Sequence, residues 1–488
     1  MNKSKRFFVT TPIYYINDVP HIGHAYATFA ADILARFNRA LGNDTFFLTG
    51  TDENSQKTVI AAKKAKKDIQ GYTDELAEKW KSAWKKLGVS NDDFIRTTEA
   101  RHKKIVQEIF EKIDKNGDLY KGQYKGLYCV GHEAFLKEDG LDEKGLCPDH
   151  KTQPDHIVEQ NYFFRLSKYQ DVLLDHFKKN PTFVEPKERY NEIFNFIKSG
   201  LQNISVTRET QKWGIPAPND PKQIIYVWFD ALINYISGSG FNPDGSKRGG
   251  SSLAGPKPSS AWWPADVHII GKDILRFHAV IWPAMLLSAG YQLPKKVFAH
   301  GFFTVDGEKI SKSLGNAIDP IALSEKYGTD VLRYYLFKEI PFGNDGDFSF
   351  KRLEEVYNAD LANGLGNLIA RVAKLCETFN LKAKHSGLKI VFNESYKKAV
   401  EELRFQDALN IIWQKISTVD RLIDKTKPWE LIKKDTQKAE AVLNKLVDEI
   451  RQINDLVALF LPETSEKISQ QFAGPKIKSE APLFPRIK

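Results

Sequence analysis

Cysteine is scarce in this chain, with three among 488 residues. That excludes a disulfide framework and suits a reducing compartment. No apolar run approaches the ~20 residues that a membrane span requires, so no spanning segment is expected. The opening MNKSKRFFVTTPIYYINDVP does set basic residues before an apolar stretch. It lacks a small-residue cleavage site, however, and Thr, Pro and Asn interrupt its apolar part, so a cytoplasmic protein is expected rather than a secreted one. The P-loop lysine pattern is missing throughout, which excludes a kinase-like or GTPase-like phosphate site. There is no internal repeat and no low-complexity tail. Nor does one sign of charge dominate: 71 Lys and Arg stand against 62 Asp and Glu, a formal net charge of +9. That is mild for a dedicated nucleic-acid binder and compatible with local basic surfaces.

What is present reads as a multidomain globular chain. Hydrophobic residues make up 42% and charged residues 27%, an ordinary balance. Strand-like and helix-like segments alternate over residues 1 to about 115: the strand Phe7–Ile16, a helix after Pro20, the strand TFFLTGTDE, then a Lys-rich helical tract to about Lys86. Such alternation predicts a parallel sheet with crossovers. From 116 to 165 the texture turns Gly-, Asp- and Lys-rich, and helical and loop segments are expected onward to about Ala217. The α/β character resumes with IIYVWFDALINYIS, VHIIGKDILRFHAVIWPAML and VFAHGFFTVDG, so an insertion splits one α/β domain. Ser237–Ser260 is expected as a flexible surface loop. Beyond about Phe350 the strand signals vanish, and long amphipathic tracts predict an all-α bundle.

Three stretches carry chemistry. In PHIGHAYATFAADILARF, His21 and His24 bracket an Ile-Gly pair at the entrance of a helix whose apolar face is Ala27, Ala30, Ala31, Leu34 and Ala35. Asp32 and Arg36 are expected as an i,i+4 pair on its other face. A strand, a short loop and a helix start present backbone N–H groups to an anion. In DGEKISKSLGN, Lys309 and Lys312 stand among hydroxyl residues between Gly307 and Gly315. Lysines on a glycine-bounded loop can neutralise charge on a departing pyrophosphate, and imidazoles at a helix start can serve the phosphates opposite. In the insertion, Cys129-x2-His132 is followed fourteen residues later by Cys147-x2-His150. Two pairs at this spacing suit a tetrahedral structural zinc.

HIGH at His21–His24 and KISKS at Lys309–Ser313 resemble the two signatures of class I aminoacyl-tRNA synthetases. The surrounding text, TPIYYINDVPHIGHAY, FLTGTDENSQK, YVWFDALINYIS, HIIGKDILRFHAVIWPAML and HGFFTVDGEKISKSLGN, resembles the methionyl-tRNA synthetase family nearly end to end. Ile310 replaces the methionine usual in the second motif, and His132 departs from the family's commoner cysteine. The resemblance implies a Rossmann-type catalytic domain (1–115 and 223–300) interrupted by a zinc-knuckle connective insertion (116–222). A motif-bearing linker (301–352) and an α-helical anticodon-binding domain (353–488) would follow.

The resemblance also implies roles. Ile13, Tyr15, Trp228, Ala231, Tyr235, Ile274, His278 and Trp282 would hold the methionine side chain, and Asp52 its α-ammonium. An aromatic slot suits a polarisable thioether, and Tyr15 and His278 would add polar discrimination at the sulfur. Gly23, Gly271 and Asp273 would bind ATP, with Asp273 at the ribose. Asn367, Arg371 and Trp429 would read the CAU anticodon by stacking and hydrogen bonding. The implied partners are L-methionine and tRNA(Met), initiator included, with Mg²⁺ accompanying ATP, no membrane, and a monomeric state. Three rivals remain: a synthetase for another amino acid, a small-molecule adenylyltransferase, and a catalytically dead tRNA-binding protein. The aromatic pocket set argues against the first, the helical C-terminal region against the second, and the four intact motif residues against the third.

Overall fold

The computed structural model describes residues 5–16, 19–129, 134–136, 140–148, 151–240, 262–309, 318–383 and 392–487, with backbone alone for 134–136 and 309. The chain divides into two compact units. The first comprises Met1–Pro20, Asn43–Lys85 and Ser90–Ala299; the second comprises His21–Gly42, Lys86–Val89 and His300–Lys488. Among the described residues no helix is long and apolar enough to cross a membrane.

The first unit is built on a six-stranded sheet in the order Asp93–Arg96, Asp44–Asp52, Arg6–Tyr15, Val267–Gly271, Val297–His300, Val184–Glu185. The first four strands of that order pair in parallel, as do the last two. The expected strands Phe7–Ile16 and TFFLTGTDE correspond to Arg6–Tyr15 and Asp44–Asp52, and both are buried over most of their length. Near-continuous burial is what covering both faces of a parallel sheet produces. The strands after Arg6–Tyr15 add first on one side of it and later on the other. Open sheets bind ligands at such a switch point, outside the carboxyl ends of the strands.

Ser237 to Gly240 do not open a surface loop. They finish the helix Asn234–Gly240, and all four are buried. A Cβ on Gly238 would meet Leu48 Cδ2 at 2.7 Å, so glycine stands there because the helix presses on the strand Asp44–Asp52. Gly238→Ala is expected to cost about 1–3 kcal/mol by overpacking, read as a lowered denaturation midpoint. Residues 241–261 lie outside the described residues.

The insertion is not made of helices and loops alone. Beside its helices Gln170–Lys179 and Lys187–Lys198, it holds a four-stranded antiparallel sheet in the order Ala134–Leu136, Leu119–Cys129, Asp155–Phe164, Ile204–Ser205. Its central strand alternates half-buried and exposed residues rather than burying one face fully, so the apolar signal is weak. Cross-strand stacking holds it: Phe163 stacks on Tyr120 with centroids 5.5 Å apart.

The second unit joins the helix Ile22–Ala40 to a three-stranded sheet (Glu308–Lys309, Phe303–Val305, Gly346–Phe348) and to helices. The C-terminal region is helical, with Asn367–Phe379, Phe405–Thr426 and Thr436–Val457 among its longer members. The expected Asp32–Arg36 pair forms at 2.7 Å. Asp32 is fully buried, because Arg333 from the helix Thr329–Glu339 reaches the same oxygen at 2.7 Å. A buried carboxylate needs such a partner.

Candidate active site

In the first unit, the expected amino-acid pocket gathers at the carboxyl ends of the central strands. Parallel register sets Tyr15 opposite Asp52 and Ile13 opposite Gly50. Asp52 is 3% exposed, and its Oδ1 accepts the Asn54 amide at 3.4 Å. The next residue, Glu53, is clamped by Arg96 at 2.7 and 3.0 Å, and its carbonyl accepts from Trp213 Nε1 at 2.8 Å. These neighbours stiffen the loop that carries Asp52, and the motif reading did not find them.

The opposite wall comes from helices. Trp228 and Ala231 lie on Val227–Leu232, and Tyr235 starts the next helix. His278 sits in a π-helical turn, Phe277–Ile281, directly before Trp282; such wide turns recur at functional sites. Trp228 stacks on Phe277 at 4.0 Å and meets Tyr15 edge-on at 6.0 Å. Tyr235, His278 and Trp282 are buried, whereas Ile13, Tyr15, Trp228 and Ile274 are half-buried at the rim. Gly271 ends its strand, and Asp273 is exposed in the short helical turn that follows.

His278 holds a defined tautomer. The Ile274 carbonyl, 3.0 Å from Nδ1, only accepts, so Nδ1 carries the hydrogen. Tyr235 Oη, 2.7 Å from Nε2, therefore donates to it. Burial pulls the ring down to about 4 from its ordinary 6.5, and lowers His268 as well, helped by the like charge on His278. For His278 the unfolded chain therefore binds the proton first. Its contribution to stability is complete above about pH 6.5 and lost as pH falls toward 4, an order of 3 kcal/mol in all. Thermal denaturation between pH 7 and pH 4.5 is expected to show this drop, reduced in His278→Gln.

In the second unit, the two motif histidines cap one helix reciprocally. His21 Nδ1 accepts the Gly23 amide at 3.1 Å, and His24 Nδ1 accepts the His21 amide at 3.1 Å. The rings stack at 3.6 Å. An amide can only donate, so each ring keeps its hydrogen on Nε2. The spacing H-x-x-H is thus a capping box written in imidazole. It satisfies the helix start and fixes two Nε2–H donors. A Cβ on Gly23 would lie 3.0 Å from His21 Cε1, so glycine also makes room for that ring.

Lys309 ends a hairpin whose Asp306-Gly307 turn has both residues at positive φ, the favoured two-residue turn. Its side chain and all of Lys312 lie outside the described residues. Asn367 is exposed at the start of its helix. Arg371, four residues on, pairs with Asp420 at 3.0 Å and Asp424 at 2.9 Å. Trp429 is 44% exposed at the start of the helix Pro428–Lys434, which packs on Asn367–Phe379. Cys129 and Cys147 are buried, and the Cys147 amide donates to the Thr152 carbonyl at 2.9 Å. His132 and His150 lie outside the described residues, and among the described ones no cluster of three or more His, Cys, Asp and Glu is placed to hold a metal.

An open parallel α/β sheet with a cluster of aromatic side chains at the carboxyl ends of its strands, together with a helical C-terminal region, defines an α/β class that binds ligands at such a switch point. A family model described as tRNA synthetases class I (M) matches residues 7–157 and 150–373. Methionine--tRNA ligase of Thermotoga maritima is 48% identical over 481 residues, covering 95% of this chain and 74% of that protein. The Nostoc protein of the same name is 44% identical, covering 96% and 91%. The solved Mycobacterium tuberculosis methionyl-tRNA synthetase in complex with methionyl-adenylate superposes with a TM-score of 0.88 at 35% identity, covering 99% of this chain and 100% of that one. The chain belongs to the methionine--tRNA ligase family of class I tRNA synthetases.

Proposed function

We propose that this chain activates L-methionine with ATP to methionyl-adenylate and pyrophosphate, then transfers methionine to the 2′-hydroxyl of the terminal adenosine of tRNA(Met). The observation that carries this reading is the cluster of aromatic side chains around the Tyr235–His278 pair, with a buried Asp52 at the end of its strand, in a chain of this family. Asp52 holds the substrate ammonium, and the rings of Tyr15, Trp228, Tyr235 and Trp282 hold the thioether chain together with Ile13, Ala231, Ile274 and His278. The methionine carboxylate attacks the α-phosphorus of ATP, the bond to the pyrophosphate oxygen breaks, and pyrophosphate leaves. His21 and His24 donate Nε2–H to phosphate oxygens, Lys309 and Lys312 neutralise the leaving pyrophosphate, and Gly23, Gly271 and Asp273 hold the adenosine. Positioning and electrostatics carry such transfers without a protein nucleophile. Mg²⁺ would accompany ATP and would offset phosphate charge.

Asn367, Arg371 and Trp429 contact the anticodon, with Trp429 as the stacking platform. For Arg371 to reach a base, its pairs with Asp420 and Asp424 must open. Cys129, His132, Cys147 and His150 would hold a structural zinc, a donor set that two buried thiols suit. The protein acts as a cytoplasmic monomer. The test is amino-acid-dependent ATP–pyrophosphate exchange across all twenty amino acids. Exchange with methionine alone, lost in Lys312→Ala, is expected. Exchange with none, by folded protein that binds tRNA, would sink the enzyme reading.

A further inference from the structure

The hairpin that ends in Lys309 is short. Its strands Phe303–Val305 and Glu308–Lys309 pair Thr304 with Lys309 and Val305 with Glu308, and a hairpin of that size has little stability of its own. Its direction comes from outside. The strand Gly346–Phe348 runs parallel along the other edge of Phe303–Val305 and sets Asp347 opposite Thr304. That strand is itself anchored on the helix Thr329–Glu339. Phe348 is fully buried and meets Tyr335 edge-on at 5.1 Å, and the Tyr335 hydroxyl accepts the Ser349 amide at 3.0 Å.

Asp347 grips the hairpin at its turn. One oxygen, Oδ1, accepts the Gly307 amide at 2.8 Å and the Thr304 hydroxyl at 2.5 Å. The other turn amide, of Asp306, donates to the Phe348 carbonyl at 3.1 Å. Two residues earlier, Asp345 Oδ1 accepts the Phe302 amide at 2.7 Å. The run Asp345-Gly346-Asp347 therefore holds both ends of the strand that leads into the turn. A Cβ on Gly301 would lie 2.2 Å from the Asn344 carbonyl oxygen, so the two segments meet backbone to backbone where this clamp begins. Register lines up Asp347, Thr304 and Lys309 across three neighbouring strands. A carboxylate two strands from a lysine meant for phosphate works against that lysine electrostatically, so what Asp347 contributes there is geometry.

We propose that Asp347 is a positioning residue for adenylate formation, fixing the turn of the hairpin that carries Lys309 to the leaving pyrophosphate. This rests on the function proposed above. The oxygen is needed and the charge is not, because both groups that donate to Oδ1 are neutral and an amide oxygen can accept from them too. Without that oxygen the hairpin keeps its ladder bonds and the Asp306 bond to Phe348, but loses the brace across its turn. Lys309 is then offered over a wider range of positions, and a misplacement of about 1 Å can cost as much as 10²-fold in rate. The aromatic side chains and Asp52 touch none of these groups, so methionine binding does not register the change.

The test measures methionine-dependent ATP–pyrophosphate exchange and calorimetric methionine binding in the full chain carrying Asp347→Ala or Asp347→Asn. Asp347→Ala is expected to lower kcat of exchange about tenfold, with the Kd for methionine within about twofold of the wild type. Asp347→Asn is expected to bring kcat back to within about threefold of the wild type. Wild-type exchange in Asp347→Ala, an asparagine variant as slow as the alanine one, or equal losses in kcat and methionine affinity would overturn the positioning role and leave the enzyme reading standing. A wild-type chain with no methionine-dependent exchange would overturn both. Thr304→Val removes the partner hydroxyl and leaves the Gly307 bond, so it is expected to lower kcat about threefold; it is read in the same way if Asp347→Ala does not fold.

Discussion

His21→Asn is expected to leave the helix Ile22–Ala40 as stable as before and to lower ATP–pyrophosphate exchange by about 10²–10³-fold, the cost of deleting one donor from a charge-stabilising site. Asparagine is a good helix cap, and its side-chain oxygen can accept the Gly23 amide that His21 Nδ1 now accepts at 3.1 Å. It has nothing at the position of Nε2. His21→Gln is the mirror experiment. Its amide nitrogen reaches the place of Nε2, but the cap is lost, so exchange is expected to survive while stability falls by about 1 kcal/mol. Paired thermal denaturation and exchange assays separate the two roles. If both variants lose activity and stability together, the histidine is a cap and its Nε2–H does no chemistry.

Arg333→Met is expected to destabilise the full chain by about 3–5 kcal/mol, because it leaves Asp32 buried with less than its full set of partners. Arg333 is fully buried. Its guanidinium donates to Asp32 Oδ2 at 2.7 Å, to the Phe460 carbonyl at 2.9 Å and to the Leu459 carbonyl at 3.2 Å, and lies 4.7 Å over the Phe29 ring. Three acceptors at different angles need a planar fork, so Arg333→Lys is expected to recover less than half of the loss. Replacing both partners, as in Asp32→Leu with Arg333→Met, is expected to restore most of it, since no charge is then stranded. Thermal midpoints of the four proteins decide the matter. An Arg333→Met protein that melts like the wild type would show that the pair contributes nothing. Asp32 lies on the helix that His21 and His24 open, about three turns along, so in the second unit this pair ties the helix of the motif histidines to the C-terminal helices.

Much of the candidate site was legible in the residues. Two motif pairs, HIGH and KISKS, and the aromatic set around Tyr235, His278 and Trp282 pointed to the family, because each residue type is tied to a chemical task that few others perform. Strands such as Phe7–Ile16 were legible because a sheet covered on both faces demands unbroken apolar runs. The insertion's sheet was not, because its central strand is half-solvated and draws stability from cross-strand rings such as Tyr120 and Phe163, a pairing invisible along the chain. The buried helix end Ser237–Gly240 reads locally as a loop. Only the pressure of Leu48 against Gly238 explains its glycine.

By itself, then, the sequence determined which chemistry the chain is equipped for: two imidazoles at a helix start, a set of aromatic residues, and a carboxylate closing a strand. These depend on residue type and short spacing, which local geometry converts directly into structure. Tertiary structure alone decided how those groups are held. It put Asp32 into a buried bond with a residue 301 positions away, and it set Thr10 opposite His268 across strands 258 positions apart. Partnerships of that span depend on strand register and helix packing, and those are settled by burial of the whole core rather than by any stretch of residues read alone.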